Sequence, residues 1–178
     1  DADWIPTEDG GALYIRPFMI ATEARIGIKA SEEYLFMVVC SPAFHYYNKP
    51  LKVRVETDYV RAAEGGTGIT KCGGNYGGAL FPTHLAQAAG YDQVLWTDAF
   101  EHKYVQECGT MNVIFIIGNK AVTPDLEAGT ILAGVTRDSA ITLLKEQGLT
   151  IEERPITIQE VMEAARNGRL KLRRPAKR

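Results

Sequence analysis

The pattern of apolar and polar residues predicts a series of strands in the first third of the chain. Residues 12–21 (ALYIRPFMIA) and 34–40 (YLFMVVC) are rich in aromatic and β-branched side chains, which favours two core strands. Residues 53–57 (VRVET) alternate strictly. Three such strands in succession, with short connections, predict a mainly antiparallel sheet.

A glycine-rich segment follows these strands. Seven glycines fall between Gly65 and Gly78, and this density lets the backbone approach a ligand or another strand closely. A helix is expected after the glycines, as far as about Ala89, because Gly90 can end it.

The rest of the chain is predicted to mix strands and helices. Strands are expected at 93–97, 112–117 and 151–156, with a turn at Gly118-Asn119 and helices at 136–147 and 157–167. The first of these helices carries Asp138 in its first turn and ends before Gly148. Thr157-Ile-Gln-Glu160 has the pattern of a capping box, in which two residues satisfy each other's backbone amides.

Composition limits the classes of protein to which the chain can belong. With 178 residues, 46% hydrophobic and 24% charged, we expect one compact globular unit. The longest apolar run, 35–40, is too short to span a bilayer, and no signal segment opens the chain, so we expect a cytoplasmic protein without a membrane partner. The net charge of −2 argues against nucleic acid as a partner.

Cysteines and the basic end of the chain add two further expectations. Cys40, Cys72 and Cys108 are odd in number and form no close pair, which favours reduced thiols over a disulfide framework or a zinc site. Between Arg166 and Arg178, seven of thirteen residues are Lys or Arg. Such a segment could contact phosphates or anionic lipids, but a solvated end is the favoured interpretation.

Lys71 is the candidate for chemistry within the glycine-rich segment. A Walker A loop needs glycine before the lysine and Ser or Thr after it, whereas here Thr70 precedes Lys71 and Cys72 follows. The dinucleotide fingerprint fails as well, because Gly66-Thr-Gly68 lacks its third glycine. What remains is a lysine between glycines, with Tyr76 five residues later, a place where an amine could lie close to a cofactor.

Several blocks of sequence together resemble one enzyme family. The segment KCGGNYGG (71–78) is similar to the catalytic-lysine segment of the branched-chain amino-acid aminotransferases, which are class IV, fold-type IV pyridoxal-phosphate enzymes. The other matching blocks, in the family's order, are LYIRPFMIATE (13–23), SEEYLF, VCSP, DYVRAAEGGTG, GYDQVLW, ECGTMN (107–112), LAGVTRDS and TIEERPITIQE (150–160).

The resemblance implies an α/β (α+β) fold and a set of cofactor contacts. The fold would be the large C-terminal domain of the D-amino-acid-aminotransferase-like class, with a mixed, mostly antiparallel sheet or pseudo-barrel and flanking helices. Lys71 would form the Schiff base with pyridoxal 5′-phosphate, Tyr76 would hold the 3′-oxygen, and Glu107 would face the pyridine nitrogen. Leu132 would lie against the ring.

The cofactor phosphate would bind at the start of the 136–147 helix. The resemblance assigns it to Gly134, Val135 and Thr136, consistent with the preference of anions for backbone N–H groups at helix starts. A simple N-cap by Thr136 is the alternative interpretation of the same residues. Many relatives have proline where this chain has Ala133.

The resemblance implies substrate contacts in three parts of the chain. Tyr14 and Arg16 are two apart on a strand, so they share one face, and the family uses this pair around the substrate carboxylate. Thr110 and Met111, together with the pocket aromatic Tyr46, would border the site. The chain departs from the family at 43–45, where relatives often carry Val-Gly-Pro.

The resemblance also implies an activity and partners. Leucine, isoleucine and valine would be transaminated with 2-oxoglutarate, so amino acids and 2-oxo acids would be the partners, in a homodimer. The matching region starts partway into the family's sequence and stops before its GTGTA loop, so we expect a partial and poorly active chain. Its domains would be 1–166, the catalytic-lysine domain, and 167–178, an atypical basic tail.

Two other functions stay open from the sequence. A D-amino-acid aminotransferase or an aminodeoxychorismate lyase of the same fold would retain Lys71 and Glu107. The chain could also be a non-catalytic fragment or a binding module that keeps the sheet core. The YIRP, GGTG and GTMN blocks favour the branched-chain group.

Overall fold

The structure, a computed structural model, describes residues 2–44 and 49–171. Its helices and strands belong to two compact units. One unit ends at Pro50 and the other begins at Leu51. The sequence leads us to expect a single unit, and the difference lies in the first fifty residues, which pair among themselves. The domain limits 1–166 and 167–178 stay a prediction, and most of the basic tail lies outside the described residues.

A long antiparallel ribbon makes up most of the first unit. Strand β1, Ala12–Ala21, pairs along its whole length with β2, Tyr34–Ala43. Both predicted strands are confirmed, and β2 runs three residues further than expected. A two-stranded ribbon cannot cover both of its faces, so large apolar side chains such as Met19 and Phe36 are exposed within this unit.

The second unit begins with a three-stranded sheet in the order β3-β4-β5. Its strands are β3, Val53–Val55, β4, Gln93–Thr97, and β5, Val105–Cys108. The expectation that β3 continues an antiparallel sheet with β1 and β2 is wrong, because β3 pairs in parallel with β4. Parallel neighbours need a long crossover, and the glycine-rich segment with helix α1, Gly73–Ala88, supplies it.

A second three-stranded sheet repeats this arrangement. Strands β6, Phe115–Ile117, and β7, Lys120–Thr123, form a hairpin around Gly118, whose φ of +63° suits glycine. Helix α2, Val135–Glu146, then leads to β8, Thr150–Glu153, which is parallel to β7. The predicted turn is confirmed. The predicted 112–117 strand is shorter and begins at Phe115, while the Asn112 side chain binds the Leu132 carbonyl.

Strand β4 organises the core because both of its faces are buried. On one face Val94 and Trp96 pack with alanines of α1, and on the other Leu95 packs with a cluster on neighbouring elements. That second cluster contains Val105, Val122 and Ile156. This packing fixes β5, the strand that carries Glu107, against the centre of the unit.

The predicted fold class is confirmed at the level of mixed α and β structure. Within the described ranges the strands form small mixed sheets rather than a closed barrel. No helix there is both long and apolar enough to cross a bilayer. Those residues also contain no cluster of His, Cys, Asp or Glu that could hold a metal, and all three cysteines are free.

Half of the predicted capping box forms at helix α3, Ile158–Arg166. The Thr157 hydroxyl accepts the Glu160 N–H at 3.0 Å, so Thr157 is the N-cap as expected. The Glu160 carboxylate does not return to the cap. It binds the Arg154 guanidinium at 2.6 and 2.9 Å, because a charged partner competes well with a neutral backbone amide.

Replacing Thr157 with alanine therefore tests the cap without touching the Arg154 pair. We expect Thr157→Ala to lower the free energy of unfolding by about 1 kcal/mol, since one helix-start amide loses its acceptor. Thr157→Ser keeps the hydroxyl and should remain close to the parent chain. Urea unfolding followed by circular dichroism measures the difference, and equal values for the two variants would contradict the assignment.

Candidate functional site

Lys71 lies at the junction between the glycine-rich segment and α1. Cys72, the residue after it, is the helix N-cap. The Lys71 side chain is exposed, and its Nζ lies 5.2 Å from the centroid of the Tyr76 ring on the first turn of α1. The structure therefore brings together these two predicted site residues.

Glu107 is a buried carboxylate at the centre of the second unit. Its side chain is 3% exposed on β5. One oxygen, Oε1, accepts the backbone N–H of Leu132 at 2.9 Å, and the other, Oε2, lies 3.0 Å from Nε of Arg61. Glu107 and Leu132, both predicted site residues, are therefore in direct contact.

Arg61 is the site residue that sequence reasoning missed. Besides Glu107, its guanidinium donates to the carbonyls of Thr130, at 2.7 Å, and Gly68, at 3.3 Å. A Cβ added at Gly68 would lie 2.5 Å from the Thr130 oxygen, so only glycine fits there. One side chain thus ties the loop before Lys71 to Glu107 and to the segment before Leu132. Its place in the VRAAEGGTG block was the available signal.

Burial and charge act in opposite directions on Glu107. Burial raises the pKa of the Glu107 carboxyl above its usual value, while the Leu132 N–H and the charges of Arg61 and Lys71 pull it down. A carboxylate has about four acceptor positions, and the two bonds to Leu132 and Arg61 leave capacity for a further N–H donor.

The start of α2 presents the predicted anion-binding residues. Gly134 is the N-cap, and Val135 and Thr136 are the first helical residues, so the alternative in which Thr136 is the cap is wrong. Helix geometry leaves the first backbone N–H groups without partners inside the helix. Asn112 shapes this turn: its Nδ2 donates to the Leu132 carbonyl at 2.8 Å, and its Oδ1 occupies the space that a Cβ on Gly134 would need.

Thr110 and Met111 lie in a tight turn directly after Glu107. Cys108 and Met111 exchange two backbone hydrogen bonds of 2.9 Å, and Gly109 has a φ of +58°. The indole N–H of Trp96 donates to the Gly109 carbonyl at 2.9 Å and fixes the turn to β4. The position of these residues beside Glu107 is set by the core.

The predicted substrate pair lies in the first unit. Arg16 Cζ is 5.2 Å from the centroid of the Tyr14 ring, which confirms that the two side chains share one face of β1. Tyr46, the predicted pocket aromatic, lies outside the described residues.

Comparison with known proteins gives a consistent result. The family model described as amino-transferase class IV matches residues 3–166. The chain is 51% identical over 174 residues to the branched-chain-amino-acid transaminase 1 of Bacillus subtilis (strain 168), which covers 96% of this chain and 49% of that protein. It is 48% identical over 171 residues to aminotransferase 2 of the same strain. The chain thus spans about half the length of the curated relatives it matches.

Solved structures agree with this similarity. A branched-chain aminotransferase from the thermophilic archaeon Thermoproteus uzoniensis, solved with norvaline, superposes with a TM-score of 0.74 at 26% identity, over 85% of this chain and 50% of that one. An aminotransferase from Brucella abortus bound to the cofactor PLP gives a TM-score of 0.68, also at 26% identity, over 85% of this chain and 54% of that one.

The ion pair between Arg61 and Glu107 can be tested by removing one charge and then both. Arg61→Met should lower the free energy of unfolding by about 3–5 kcal/mol, because it leaves a buried carboxylate without its counter-charge. Arg61→Met/Glu107→Gln should recover much of this loss, because it removes the unpaired charge. Urea unfolding of the parent chain, Arg61→Met, Glu107→Gln and the double variant measures the coupling, and additive losses would contradict it.

The loss caused by Arg61→Met should also depend on pH. Without Arg61 the folded-state pKa of Glu107 rises further above its value in the unfolded chain, about 4.3. The cost of ionising the buried carboxyl is complete above the folded pKa, and it decreases as pH falls from the folded pKa towards the unfolded one. The deficit against the parent chain should therefore be larger at pH 8 than at pH 5, and the double variant should not show this trend.

The two cysteines of the second unit should differ in reactivity. Hydrogen bonds from the Thr70 and Thr67 hydroxyls, and from the backbone of Asn75, lower the pKa of Cys72 to about 7. Burial raises the pKa of the Cys108 thiol to about 11. Because the thiolate is the nucleophile, iodoacetamide at pH 8 should label Cys72 and spare Cys108 in peptide mass spectra. Equal labelling of the folded chain would contradict these environments.

Proposed function

Because the chain belongs to the amino-transferase class IV family, we propose that it contributes to a transaminase that transfers the amino group of branched-chain L-amino acids to 2-oxoglutarate. The single observation that carries this proposal is that Arg61 binds both Glu107 and the carbonyl of Gly68, three residues before Lys71, while Glu107 also accepts the Leu132 N–H. The names of the relatives from Bacillus subtilis support the branched-chain substrates.

The residues present fit pyridoxal 5′-phosphate as the cofactor. When bound, this cofactor supplies an aldehyde that condenses with amines and a protonated ring that accepts an electron pair from the substrate Cα. An amine, a buried carboxylate and a helix start for an anion are all available within the second unit. The aminotransferase from Brucella abortus, solved with this cofactor, shares the fold.

Lys71 would provide the amine that attaches the cofactor and then moves a proton. Its Nζ would take the proton from the substrate Cα and deliver it to the cofactor carbon two bonds away. The amine must therefore be held close to both carbons. The neighbouring Tyr76 would hold the cofactor's 3′-oxygen with its hydroxyl. Both residues belong to the same junction, so the start of α1 would set their separation.

Glu107 would keep a proton on the ring nitrogen of the cofactor. An ionised carboxylate opposite that nitrogen favours the protonated ring. Burial raises the pKa of the Glu107 carboxyl and disfavours its charged form, whereas Arg61 and the Leu132 N–H favour the charged form. Leu132 would also cover the ring, since its backbone is fixed to the carboxylate on one side and to Asn112 on the other.

The phosphate group would bind at the start of α2. Backbone N–H groups of the Gly134–Thr136 segment would donate to it, with the helix dipole favouring the negative charge.

Tyr14 and Arg16 would bind the substrate carboxylate, since the arginine guanidinium can donate two parallel hydrogen bonds to that group. Thr110 and Met111 would border the substrate side chain, together with Tyr46. A homodimer is a further prediction of the family resemblance, and a cytoplasmic location stays a prediction from the sequence.

Trapping with borohydride tests the attachment of the cofactor. Pyridoxal phosphate added to the 178-residue chain and reduced with borohydride should give a phosphopyridoxyl group on the peptide that contains Lys71. Lys71→Ala should lose the label there, whereas Lys103→Ala, which removes another lysine of the same unit, should keep it. Labelling that is spread equally over surface lysines would contradict the assignment.

Turnover is the second part of this test. L-Leucine with 2-oxoglutarate should yield glutamate, and D-leucine should not. Because Lys71 is exposed in the chain, we expect turnover well below that of an intact relative, since water reaches the reacting groups. A rate equal to that of an intact relative would contradict this expectation.

A further inference from the structure

Asn75 is a buried amide in the first turn of α1, and its whole side chain is engaged by the loop that leads to Lys71. It is 9% exposed. Its Oδ1 accepts the Thr67 hydroxyl at 2.8 Å, and its Nδ2 donates to the carbonyls of Thr67, at 2.8 Å, and Thr70, at 2.9 Å. Only this orientation of the amide presents N–H groups to both carbonyls.

The bond to Thr70 acts on the backbone of Lys71 itself. The Thr70 carbonyl belongs to the peptide group that joins Thr70 to Lys71, and a peptide group is planar. Holding its oxygen therefore fixes the direction in which the chain enters the Lys71 Cα. The Thr67 carbonyl also accepts the Thr70 backbone N–H, at 2.9 Å, and the Thr70 hydroxyl, at 2.7 Å, so the turn closes on the same anchor.

The surrounding sequence makes such an anchor necessary. Glycines stand on both sides of the junction, and glycine allows far more backbone conformations than other residues. Gly73 and Gly74 have open space where a Cβ would be, so packing does not restrain them. Hydrogen bonds from the Asn75 side chain therefore add to the backbone hydrogen bonds that fix this junction.

We propose that Asn75 is a positioning residue for Lys71. Asn75 holds the peptide group before Lys71, so that the Lys71 amine reaches the carbonyl carbon of the cofactor in one geometry. This inference rests on the proposed function, in which Lys71 is the reacting amine. A misplacement of about 1 Å can slow a positioned reaction by about a hundredfold, so a small backbone change at this junction has a large effect on reactivity.

Two substitutions separate the donor from the acceptor function of the amide. Asn75→Asp keeps the size and the acceptor for Thr67 but loses both donors, whereas Asn75→Ala loses all three hydrogen bonds. Thr67→Val, at an exposed position, removes the bond to Oδ1 and keeps both donors of Asn75, although it also removes the hydroxyl that lowers the pKa of Cys72. Thr123→Val is the matched control. It also removes one side-chain hydrogen bond to a backbone carbonyl, the 2.7 Å bond from Thr123 on β7 to Val113.

The first measurement is the rate of borohydride-trapped labelling of Lys71 by pyridoxal phosphate, followed by peptide mass spectrometry of the full chain. We expect Asn75→Asp and Asn75→Ala to slow labelling about tenfold or more, Thr67→Val to slow it less, and Thr123→Val to label at the parent rate. Labelling of Lys103 in each protein serves as an internal reference. If the Asn75 variants label at the parent rate, the inference is wrong although Lys71 is the reacting amine.

The second measurement needs no cofactor. Amide hydrogen exchange of the peptide that spans residues 66–72 should become faster in both Asn75 variants, and stay unchanged in Thr123→Val. Unchanged exchange would overturn the positioning role. If the parent chain is not labelled at Lys71, the proposed function fails, and the inference that rests on it fails too. Circular dichroism confirms folding, and Thr67→Val still decides the question if an Asn75 variant does not fold.

Discussion

The buried ion pair between Arg61 and Glu107 is the interaction on which the second unit depends. Both side chains are almost fully buried, and the guanidinium also donates to the carbonyls of Gly68 and Thr130. Isolated buried charges are strongly unfavourable, whereas a pair with its other donors satisfied is tolerated. The pair therefore holds three separate segments at fixed distances, and each segment carries a part of the candidate site.

Much of the fold was accessible from the sequence because apolar periodicity is a local signal. The ribbon strands, β4 and the three helices follow from alternation and from the glycines that end helices. Strand β5 was missed because Gln106 and Glu107 make it half polar, although both are buried. The pairing of β3 was mispredicted because a local pattern does not contain the strand's partner, which here is reached through the α1 crossover.

The candidate site shows the same limit. The resemblance provided Lys71, Tyr76, Glu107 and the start of α2, and the structure places Glu107 beside Leu132. The resemblance did not assign a role to Arg61, Asn75 or Asn112, whose partners are mostly backbone carbonyls. Such partners leave no trace in residue type, so the matching blocks could point to these residues but not to their contacts.

The long crossovers have a consequence for how the protein folds. Arg61 and Thr130 are 69 positions apart in the chain, and Glu107 and Leu132 are 25 apart. Contacts between distant positions form slowly, because loop entropy is lost before the contacts are gained. The groups that would surround a ligand therefore come together only after these distant segments have met. A ligand that binds this assembly selects the folded state and, by mass action, stabilises it in proportion to the logarithm of its concentration.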